Sequence, residues 1–360
     1  MNTDLVVVAT DPAPSNALSL VQKKTDCVAF LGRGEVVLDK EGIKDAVRKA
    51  KVVLVGMSSS RERSAPELFA IAMTFGPEKR VGLYADAPGC QARSWFESVR
   101  SGVSFVSVIN EKERELSRGI FPTYYTEIVA CGNPDWDKYF FVKATRDEVR
   151  AKLGISRGQK VIFVSGHKDT MIAVPALAMV LQAVKILNNP DIIVVYSAHP
   201  GAALPWKEYN GAFYAGVPLK LTVRGKSSEV LAGSRFELTD LAEEEMIVGA
   251  DLVIGECSTA EVGAACQRKP AIAFMTEITL GRNPEIFGRR KWEWAEAGTS
   301  IPVYGEPRAL AHSISDLLES RKIWLEHYHE IQETVFPRPD WPGIALERLL
   351  DVINRNMRQS

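Results

Sequence analysis

Short apolar runs alternate with amphipathic segments along most of the chain. The runs are largely continuous, which is typical of strands covered on both faces, and the segments between them have the helical period. Strands that alternate with helices predict right-handed βαβ units and parallel sheets. The predicted strands are Leu5–Ala9, Cys27–Leu31, Val52–Gly56, Val81–Tyr84, Val103–Val108, Glu127–Cys131, Val161–Ser165, Ile192–Ser197, Leu252–Gly255 and Ala271–Phe274. The predicted helices are Glu41–Ala50, Ala65–Phe75, Glu111–Arg118, Thr170–Leu187, Thr259–Gln267, Leu310–Leu318, Ile323–Val335 and Ile344–Ile353.

The alternation is interrupted once, near the middle of the chain. Gly132-Asn133-Pro134 closes a strand, and a polar stretch in which Thr145 and Glu148 predict a capping box follows. We therefore predict an N-terminal Rossmann-like domain over residues 1–134 and a second one over 135–335. A C-terminal helix within 336–360 is compatible with packing back on the N-terminal domain. The predicted fold class is α/β, with two doubly wound parallel-sheet domains that face each other across a cleft.

Composition and charge narrow the class of protein. With 360 residues, 46% of them hydrophobic, the chain resembles an average globular protein of two domains. Its 44 Lys and Arg residues and 45 Asp and Glu residues give a net charge of −1, so nucleic acid is an unlikely partner, although a local basic groove stays open.

Cysteines and apolar runs bear on the compartment. The five cysteines are scattered and form no CxxC pair, which argues against a zinc ribbon or a redox dithiol and favours a reducing compartment. The N-terminal residues lack the positive charge and the long apolar run of a signal peptide. No uninterrupted apolar run reaches the roughly 18 residues of a membrane helix. We therefore expect a cytoplasmic protein without a membrane span.

Polar loops follow the predicted strands, at the sheet edge where ligands of open α/β folds bind. After Val161–Ser165, a loop containing Gly166, His167 and Lys168 leads into a helix. Glycine and helix N-terminal amides favour a phosphate, and the two basic side chains would add positive charge; a plain capped turn is the alternative. The chain has neither a GxxxxGK[ST] loop nor a GxGxxG before a helix.

Two further loops of the second half carry candidates. After Leu252–Gly255, Ser258 and Thr259 stand at a helix start, where hydroxyls and amides face the strand-end edge. Glu261, one turn further on, would accept hydrogen bonds from ribose hydroxyls, or it would only complement the helix dipole. His199 follows another strand and would contact a phosphate or a base, or serve as a turn residue.

The first half offers an acid and two arginines. Asp86 follows a strand directly, where a general base can reach a substrate hydroxyl, although a lone turn aspartate is the commoner meaning. Arg61 and Arg63 lie in a serine-rich loop suited to anions. Asp135-Trp136-Asp137 has a DxD pattern but lies at the domain boundary, so we assign it no metal. The stretch Arg289–Trp294 would suit base stacking, or simple packing.

In this order the segments resemble the GT-B superfamily of nucleotide-sugar enzymes, and within it the non-hydrolysing UDP-N-acetylglucosamine 2-epimerases and related glycosyltransferases. The resemblance extends from Val52 to about Gly305. It is carried by Val81–Gly89, by Ile128–Asp137 (similar to TGNPxxD), by Gly249–Pro270 (similar to aDLvixDSGGxxEExxxxGKP) and by Thr276–Thr299 (similar to ETTERPE…AGT).

The chain departs from the epimerase pattern at several positions. The GTRPE turn corresponds to Ala9-Thr10-Asp11-Pro12-Ala13, which lacks the arginine, and EAGLR corresponds to Asp86-Ala87-Pro88-Gly89-Cys90. Where the epimerases have paired glycines, this chain has Ser258-Thr259. That pair is closer to the Ser-Ser of polyol-phosphate and sugar transferases. Only one acid, Glu261, follows.

The resemblance implies a glycosyltransferase that moves a sugar from a nucleoside diphosphate, in the first instance UDP, to a hydroxyl acceptor of unknown identity, without a metal or another cofactor. A sugar 2-epimerase, a non-catalytic nucleotide-sugar-binding module and a transferase acting on modified DNA bases are the alternatives; a homodimer is compatible with the sequence. The implied donor contacts are Gly166, His167, Lys168, His199, Ser258, Thr259, Glu261 and Arg282; the implied base is Asp86, with Arg61 or Arg63 positioning the acceptor or a phosphate.

Overall fold

A computed structural model describes residues 4–33, 35, 39–74, 79–122, 124–167, 169–199, 216–224, 237–256, 258–281, 293–319 and 322–360. The described residues form two compact units. The first contains the chain up to Asp137 together with Pro339–Ser360, and the second contains the described residues from Lys138 to Arg338.

The first unit is built on a six-stranded parallel sheet in the order β2-β1-β3-β4-β5-β6. Valine and leucine fill its central strands, which are buried on both faces as in other parallel sheets. The strands are β1 (Leu5–Ala9), β2 (Cys27–Leu31), β3 (Val52–Gly56), β4 (Arg80–Tyr84), β5 (Phe105–Val108) and β6 (Glu127–Ala130). The helices are α1 (Pro12–Gln22), α2 (Lys40–Lys49), α3 (Ala65–Ala72), α4 (Glu111–Arg118) and α13 (Ile344–Gln359), with 3-10 segments at Cys90–Ala92, Ser94–Gly102 and Pro134–Trp136.

Helices cover both faces of this first sheet. One face packs against α2, α3 and the 3-10 segment Ser94–Gly102, and the other against α1 and α13. The C-terminal helix contributes Leu349, Val352 and Ile353 to the second of these cores, where they are almost fully buried.

The second unit has a seven-stranded parallel sheet in the order β10-β9-β8-β7-β11-β12-β13. Its strands are β7 (Lys160–Ser165), β8 (Ile192–Ala198), β9 (Leu219–Val223), β10 (Glu237–Leu238), β11 (Leu252–Gly255), β12 (Ala271–Met275) and β13 (Ile301–Tyr304). Its helices are α5 (Asp137–Phe140, beginning at the last residue of the first unit), α6 (Arg146–Lys152), α7 (Thr170–Leu187), α8 (Glu243–Gly249), α9 (Thr259–Cys266), α10 (Glu293–Glu296), α11 (Pro307–Leu318) and α12 (Lys322–Val335).

Helix α7 is long and apolar enough to span a membrane by length and composition alone. One face of it, including Leu177, Val180 and Val184, is buried against the second sheet and α11. That packing is what the core helix of a globular unit requires.

The fold class is the one that the sequence predicts, and the capping box between Thr145 and Glu148 is present. The elements that were not predicted include the strands β9, β10 and β13 and the helices α1 and α8. β13 contains Pro302, and β9 (LKLTV) alternates polar and apolar residues, so neither has the continuous run used as the strand signal. α1 begins with prolines in its first turn, where the ring disturbs no helical hydrogen bond.

Candidate functional site

Each sheet has one point at which the strand order reverses. In the first unit this switch point lies between β1 and β3, and in the second it lies between β7 and β11. Crossovers leave opposite faces of the sheet there, so a crevice opens at the carboxyl ends of the two strands. Of the candidate residues of the second unit, Gly166 and His167 follow β7, and Ser258, Thr259 and Glu261 follow β11, the two strands of the second of these points.

Gly166 follows β7 in a position that admits no side chain. A Cβ atom there would lie 2.4 Å from the Tyr196 hydroxyl oxygen and 2.8 Å from the Ser197 carbonyl oxygen. The Gly166 amide donates to that same carbonyl at 2.8 Å. The chain therefore turns tightly against β8 at this point, and only glycine fits.

His167 is half-buried and held in one orientation. Its Nδ1 accepts a hydrogen bond from the Asp169 amide at 2.9 Å, and Asp169 caps α7 by accepting from the Met171 amide at 3.0 Å. Because Nδ1 is the acceptor, a neutral ring carries its proton on Nε2. His167 can therefore donate from Nε2 to an anion. Lys168 lies outside the described residues.

Ser258 is the N-cap of α9 and joins the two strand ends of the switch point. Its Oγ accepts from the Ala260 amide at 3.2 Å and donates to Ser165 Oγ, at the end of β7, at 3.0 Å. Thr259, the first residue of α9, is exposed. The N-terminal amides of α9 thus begin beside the end of β7, with an exposed hydroxyl at the same place.

Glu261 is fully buried and folds back onto its own helix start. Its Oε1 accepts from the Ser258 amide at 3.3 Å and completes a capping box. The same oxygen lies 2.8 Å from where a Cβ on Gly255 would be, so glycine at that position makes room for it. In this conformation Glu261 offers no surface to a ligand, and a contact with ribose would require the side chain to leave the cap.

Glu256, directly after β11, is a buried acid that the sequence analysis did not single out. Its side chain is 5% exposed. Oε1 accepts from the Thr276 amide at 3.3 Å, from the Thr276 hydroxyl at 2.8 Å and from the Thr279 hydroxyl. Oε2 is buried and has no hydrogen-bond partner among the described residues. Desolvation raises the pKa of Glu256, and the hydrogen bonds from the two threonines oppose that rise.

A small cavity of about 10 Å³ brings several of these residues together. Ser165, Gly166, His167, Gly255 and Glu256 form its polar side, and side chains of α7 with Tyr196 and Phe274 form the rest. His199 lies at the end of the neighbouring strand β8 and is exposed. Arg282 and residues 289–292 of the basic aromatic stretch lie outside the described residues.

The switch point of the first unit is built around another buried glutamate, Glu67 in α3, which is fully buried. Its Oε1 accepts from the Thr10 amide at 3.0 Å and from the Ser58 hydroxyl at 2.6 Å. Its Oε2 accepts from the Ser58 amide at 3.2 Å. Desolvation raises the pKa of Glu67 to about 8, although these hydrogen bonds act against the rise. Glu67 therefore ties the loop after β1 to the loop after β3.

The two arginines predicted in this unit differ in their surroundings. Arg63 forms an ion pair with Asp11 at 2.9 Å, and Asp11 also accepts from the Ser59 amide at 2.5 Å. Arg61 is exposed. Trp95 donates from its indole nitrogen to the Ser64 hydroxyl at 3.0 Å, which fixes the same loop from the side of the 3-10 segment.

Asp86 lies just beyond β4 and is 7% exposed. The Cys90 thiol lies 3.7 Å from its Oδ1, and the Asn133 side chain donates to its backbone carbonyl at 3.0 Å. Glu113 holds the following turn by accepting from the Gly89 amide at 2.8 Å and from the Gln91 side chain at 2.6 Å. The predicted base is thus in a rigid, nearly closed loop.

The DxD segment at the unit boundary serves the local fold. The Asp135 amide is bonded to the Asn133 side chain at 3.0 Å, and Asp137 accepts from the Gly343 amide at 2.6 Å. Within the described ranges, no group of three or more His, Cys, Asp and Glu side chains is arranged to hold a metal ion.

Comparisons with known proteins bear on the fold. No protein-family profile and no curated protein sequence matches the chain. Among solved structures, UDP-GlcNAc 2-epimerase from Neisseria meningitidis bound to UDP-GlcNAc has a TM-score of 0.61 at 14% identity, covering 97% of this chain and 99% of that chain. The S. aureus MnaA–UDP co-structure has a TM-score of 0.60 at 15% identity, over 99% of this chain and 97% of that chain.

A wall teichoic acid polymerase, TagF, is also similar, with a TM-score of 0.54 at 13% identity over 99% of this chain and 89% of that chain. The similarity to the epimerases and to the polymerase extends over nearly the whole chain. Because the sequence identities are so low, this similarity shows only that the fold is shared. The two doubly wound sheets and these neighbours together show that the chain has the GT-B fold.

Proposed function

We propose that the protein is a glycosyltransferase that takes a sugar from a nucleoside diphosphate, in the first instance UDP, and moves it to a hydroxyl acceptor. The observation that carries the proposal is the second switch point. There a glycine in a tight turn, a histidine whose Nδ1 accepts a backbone hydrogen bond and the start of α9 lie at neighbouring strand ends. A backbone turn at glycine, an imidazole N–H and a helix N-terminus are groups of the kind that bind a diphosphate.

The donor site would use the second unit. His167 and the hydroxyl of the exposed residue Thr259 would donate to the diphosphate, and the N-terminus of α9 would add the partial positive charge of its helix dipole. Ser258 would contribute indirectly, because its hydrogen bonds with Ser165 and with the Ala260 amide hold the start of α9 beside the end of β7. His199, exposed after β8, is a further donor contact. Lys168 and Arg282 keep their predicted roles from the sequence.

The transfer step requires a base for the acceptor. In the proposed reaction Asp86 takes the proton of the acceptor hydroxyl, the acceptor oxygen bonds to the anomeric carbon, and the bond from that carbon to the diphosphate oxygen breaks. The nucleoside diphosphate leaves with the electron pair, and the donors of the second unit neutralise its growing charge. Helix amides and histidine are sufficient chemistry for that task, so the proposal requires no metal or other cofactor.

A sugar 2-epimerase is the second candidate, favoured by the TM-score of 0.61 to a UDP-GlcNAc 2-epimerase. In that reaction carboxylates of the enzyme would help to eliminate the nucleotide from the sugar and to add it back. Asp86 and Glu113 are the buried acids near the end of β4 that such a reaction would use.

A cytoplasmic location and a small-molecule nucleotide sugar as partner belong to the same proposal. No disulfide joins the cysteines in the described part of the chain, Cys27, Cys90, Cys131 and Cys266, which supports a reducing compartment. The membrane-like helix α7 is explained by its packing in the second core. The homodimer and the acceptor stay predictions.

The test separates the candidates in one assay. The protein is first screened by thermal shift against UDP-, CDP-, GDP- and dTDP-sugars, because a ligand that binds the folded state raises the melting temperature. The nucleotide sugar that binds is then incubated alone and with a mixture of sugar and polyol acceptors. Release of nucleoside diphosphate only with an acceptor supports transfer, and interconversion of C2 epimers without one supports epimerisation.

The variant Asp86→Asn controls the assay. In a transferase it should bind the nucleotide sugar with the wild-type affinity and lose turnover. Binding without any turnover in the wild type would instead identify a nucleotide-sugar-binding module. No melting shift with any of these nucleotide sugars would contradict the proposal.

A further inference from the structure

Glu256 is held by neighbouring residues on one carboxylate oxygen only. Three donors, the Thr276 amide and the hydroxyls of Thr276 and Thr279, converge on Oε1. The two threonines are bonded to each other, with 2.9 Å between their hydroxyl oxygens and 3.3 Å between the Thr279 amide and the Thr276 hydroxyl. The side chain therefore has a fixed orientation that leaves Oε2 directed away from the donors.

An unsatisfied buried carboxylate oxygen is costly. Oε2 has no partner in the part of the chain that the structure describes, and the residue is 5% exposed. Buried polar atoms are nearly always hydrogen-bonded, and one that is not carries a desolvation penalty. A group that donates a hydrogen bond to Oε2 would remove that penalty, so the site favours a bound donor.

The surroundings limit what that donor can be. Glu256 lines the cavity at the second switch point with Ser165, Gly166 and His167, and the cavity has about 10 Å³, the room of a single oxygen-sized group. A phosphate is larger and carries negative charge, which the carboxylate would repel. A hydroxyl is small, neutral and a donor.

We propose that Oε2 of Glu256 binds a hydroxyl group of the nucleotide sugar and that Glu256, not Glu261, is the carboxylate that recognises the sugar part of the ligand. The inference rests on the proposed function, since it assumes that a nucleotide sugar binds at this switch point. Both acids are buried, but Glu261 completes the cap of α9, whereas Glu256 has one oxygen without a donor among the described residues. The hydroxyl belongs either to the pentose or to the transferred sugar.

The variant Glu256→Gln tests the assignment because it should turn the acceptor at the Oε2 position into a donor. The Thr276 backbone amide can only donate, so the amide oxygen of glutamine must stay at the Oε1 position, and its NH₂ group takes the place of Oε2. An acceptor becomes a donor at one atom. Calorimetric titration should then show UDP or UDP-GlcNAc binding about 10-fold more weakly, the loss of one hydrogen bond to a charged group. Binding of inorganic pyrophosphate should be unchanged or tighter, because it has no hydroxyl to place there.

Two arms identify the source of the hydroxyl. If the pentose supplies it, wild-type protein should bind 2′-deoxy-UDP or 3′-deoxy-UDP as weakly as the Glu256→Gln variant binds UDP. If the transferred sugar supplies it, the variant should lose affinity for UDP-GlcNAc and keep it for UDP. Glu277→Gln, which removes the same charge from an exposed residue on the same segment, should bind all these probes as the wild type does.

The outcomes distinguish the two proposals. Equal binding of UDP and UDP-GlcNAc by wild type and Glu256→Gln would overturn the role of Glu256 and leave the proposed function standing. A loss for pyrophosphate as large as the loss for UDP would also overturn it, since it would mark a general disturbance of the site. Failure of the wild type to bind any nucleoside diphosphate or nucleotide sugar would overturn both.

Discussion

The switch points of the two sheets each contain a buried glutamate, but the two glutamates differ in how their carboxylate oxygens are hydrogen-bonded. In the first unit Glu67 uses both carboxylate oxygens to join the loops after β1 and β3, with three donors from Thr10 and Ser58. In the second, Glu256 receives three donors on Oε1 and none from the described residues on Oε2. Each glutamate is buried at the same kind of sheet edge.

The difference shows that a buried glutamate at a switch point can serve two purposes. Glu67 is a closed junction, since every oxygen is used within the fold and its contribution is to stability. Glu256 is held as firmly but remains incomplete, which is the condition for binding a partner from outside. A buried acid at a switch point is therefore informative only when each of its oxygens is followed to its donors.

The largest effect that we expect comes from removing the closed junction. Glu67→Ala leaves the amides of Thr10 and Ser58 and the Ser58 hydroxyl without an acceptor, and it opens a cavity. The free energy of unfolding should fall by about 3 kcal/mol or more, measured by urea denaturation. The exposed neighbour Glu62 is the control, because Glu62→Ala should stay within about 0.5 kcal/mol. A loss below about 1 kcal/mol for Glu67→Ala would contradict the junction.

The pH dependence of stability should distinguish Glu67 next. The folded protein raises the pKa of Glu67 from 4.5 to about 8, so its protonated form is favoured in the native state. Its stabilising contribution is complete below pH 4.5 and is lost as the pH rises towards 8, with a slope of at most about 1.4 kcal/mol per pH unit. The variant Glu67→Gln, which has no such proton, should lack this fall in urea denaturation. Parallel pH profiles of stability for wild type and variant would contradict the raised pKa of Glu67.

A smaller effect is expected at the turn that opens the second switch point. Gly166→Ala places a methyl group against the Tyr196 hydroxyl and a backbone carbonyl, and it should destabilise the protein by about 1–3 kcal/mol. The double variant with Tyr196→Phe should recover part of the loss, because one of the two obstructing oxygens is gone. Gly158→Ala, at an open position, should leave the melting temperature unchanged. Equal loss in the single and the double variant would show that Tyr196 does not cause it.

The smallest effect should come from the clamp on Glu256. Thr279→Val removes one hydroxyl donor from Oε1 and should cost about 1 kcal/mol in calorimetric unfolding. Thr279→Ser keeps the hydroxyl and should be closer to the wild type. If valine is neutral, Glu256 is not held by the threonines, and the contrast with Glu67 weakens.

The sequence predicted the architecture well because the relevant signals are local. A continuous apolar run such as Leu252–Gly255 marks a strand covered on both faces, and its bounds were predicted as observed. The loops after β7 and β11 were singled out for the same reason, since a strand end and a helix start can be identified from neighbouring residues. The strand β9, which has only the two-residue β10 on its outer side, lacks this signal because only part of its surface is buried.

The site was harder to predict because its chemistry depends on distant contacts. Glu67 looks like an ordinary acid in the first turn of a helix, and only the fold brings it to Thr10, 57 positions away. Glu256 had a usable signal, an acid directly after a buried strand, as Asp86 has. Its importance lies in the missing partner of one oxygen, which depends on Thr276 and Thr279 and on no pattern in the sequence.

The position of helix α13 at the C-terminal end affects the order in which the two units can complete their cores during synthesis. Its residues Leu349, Val352 and Ile353 cover one face of the first sheet, beside Leu5 and Leu54. A ribosome finishes that sheet and then synthesises residues 138–338 before the covering helix emerges. Throughout this interval the nascent sheet has α1 but not α13 on that face, whereas the described residues of the second unit all lie between Lys138 and Arg338. The unit that is translated later can therefore complete its core before the unit that is translated first.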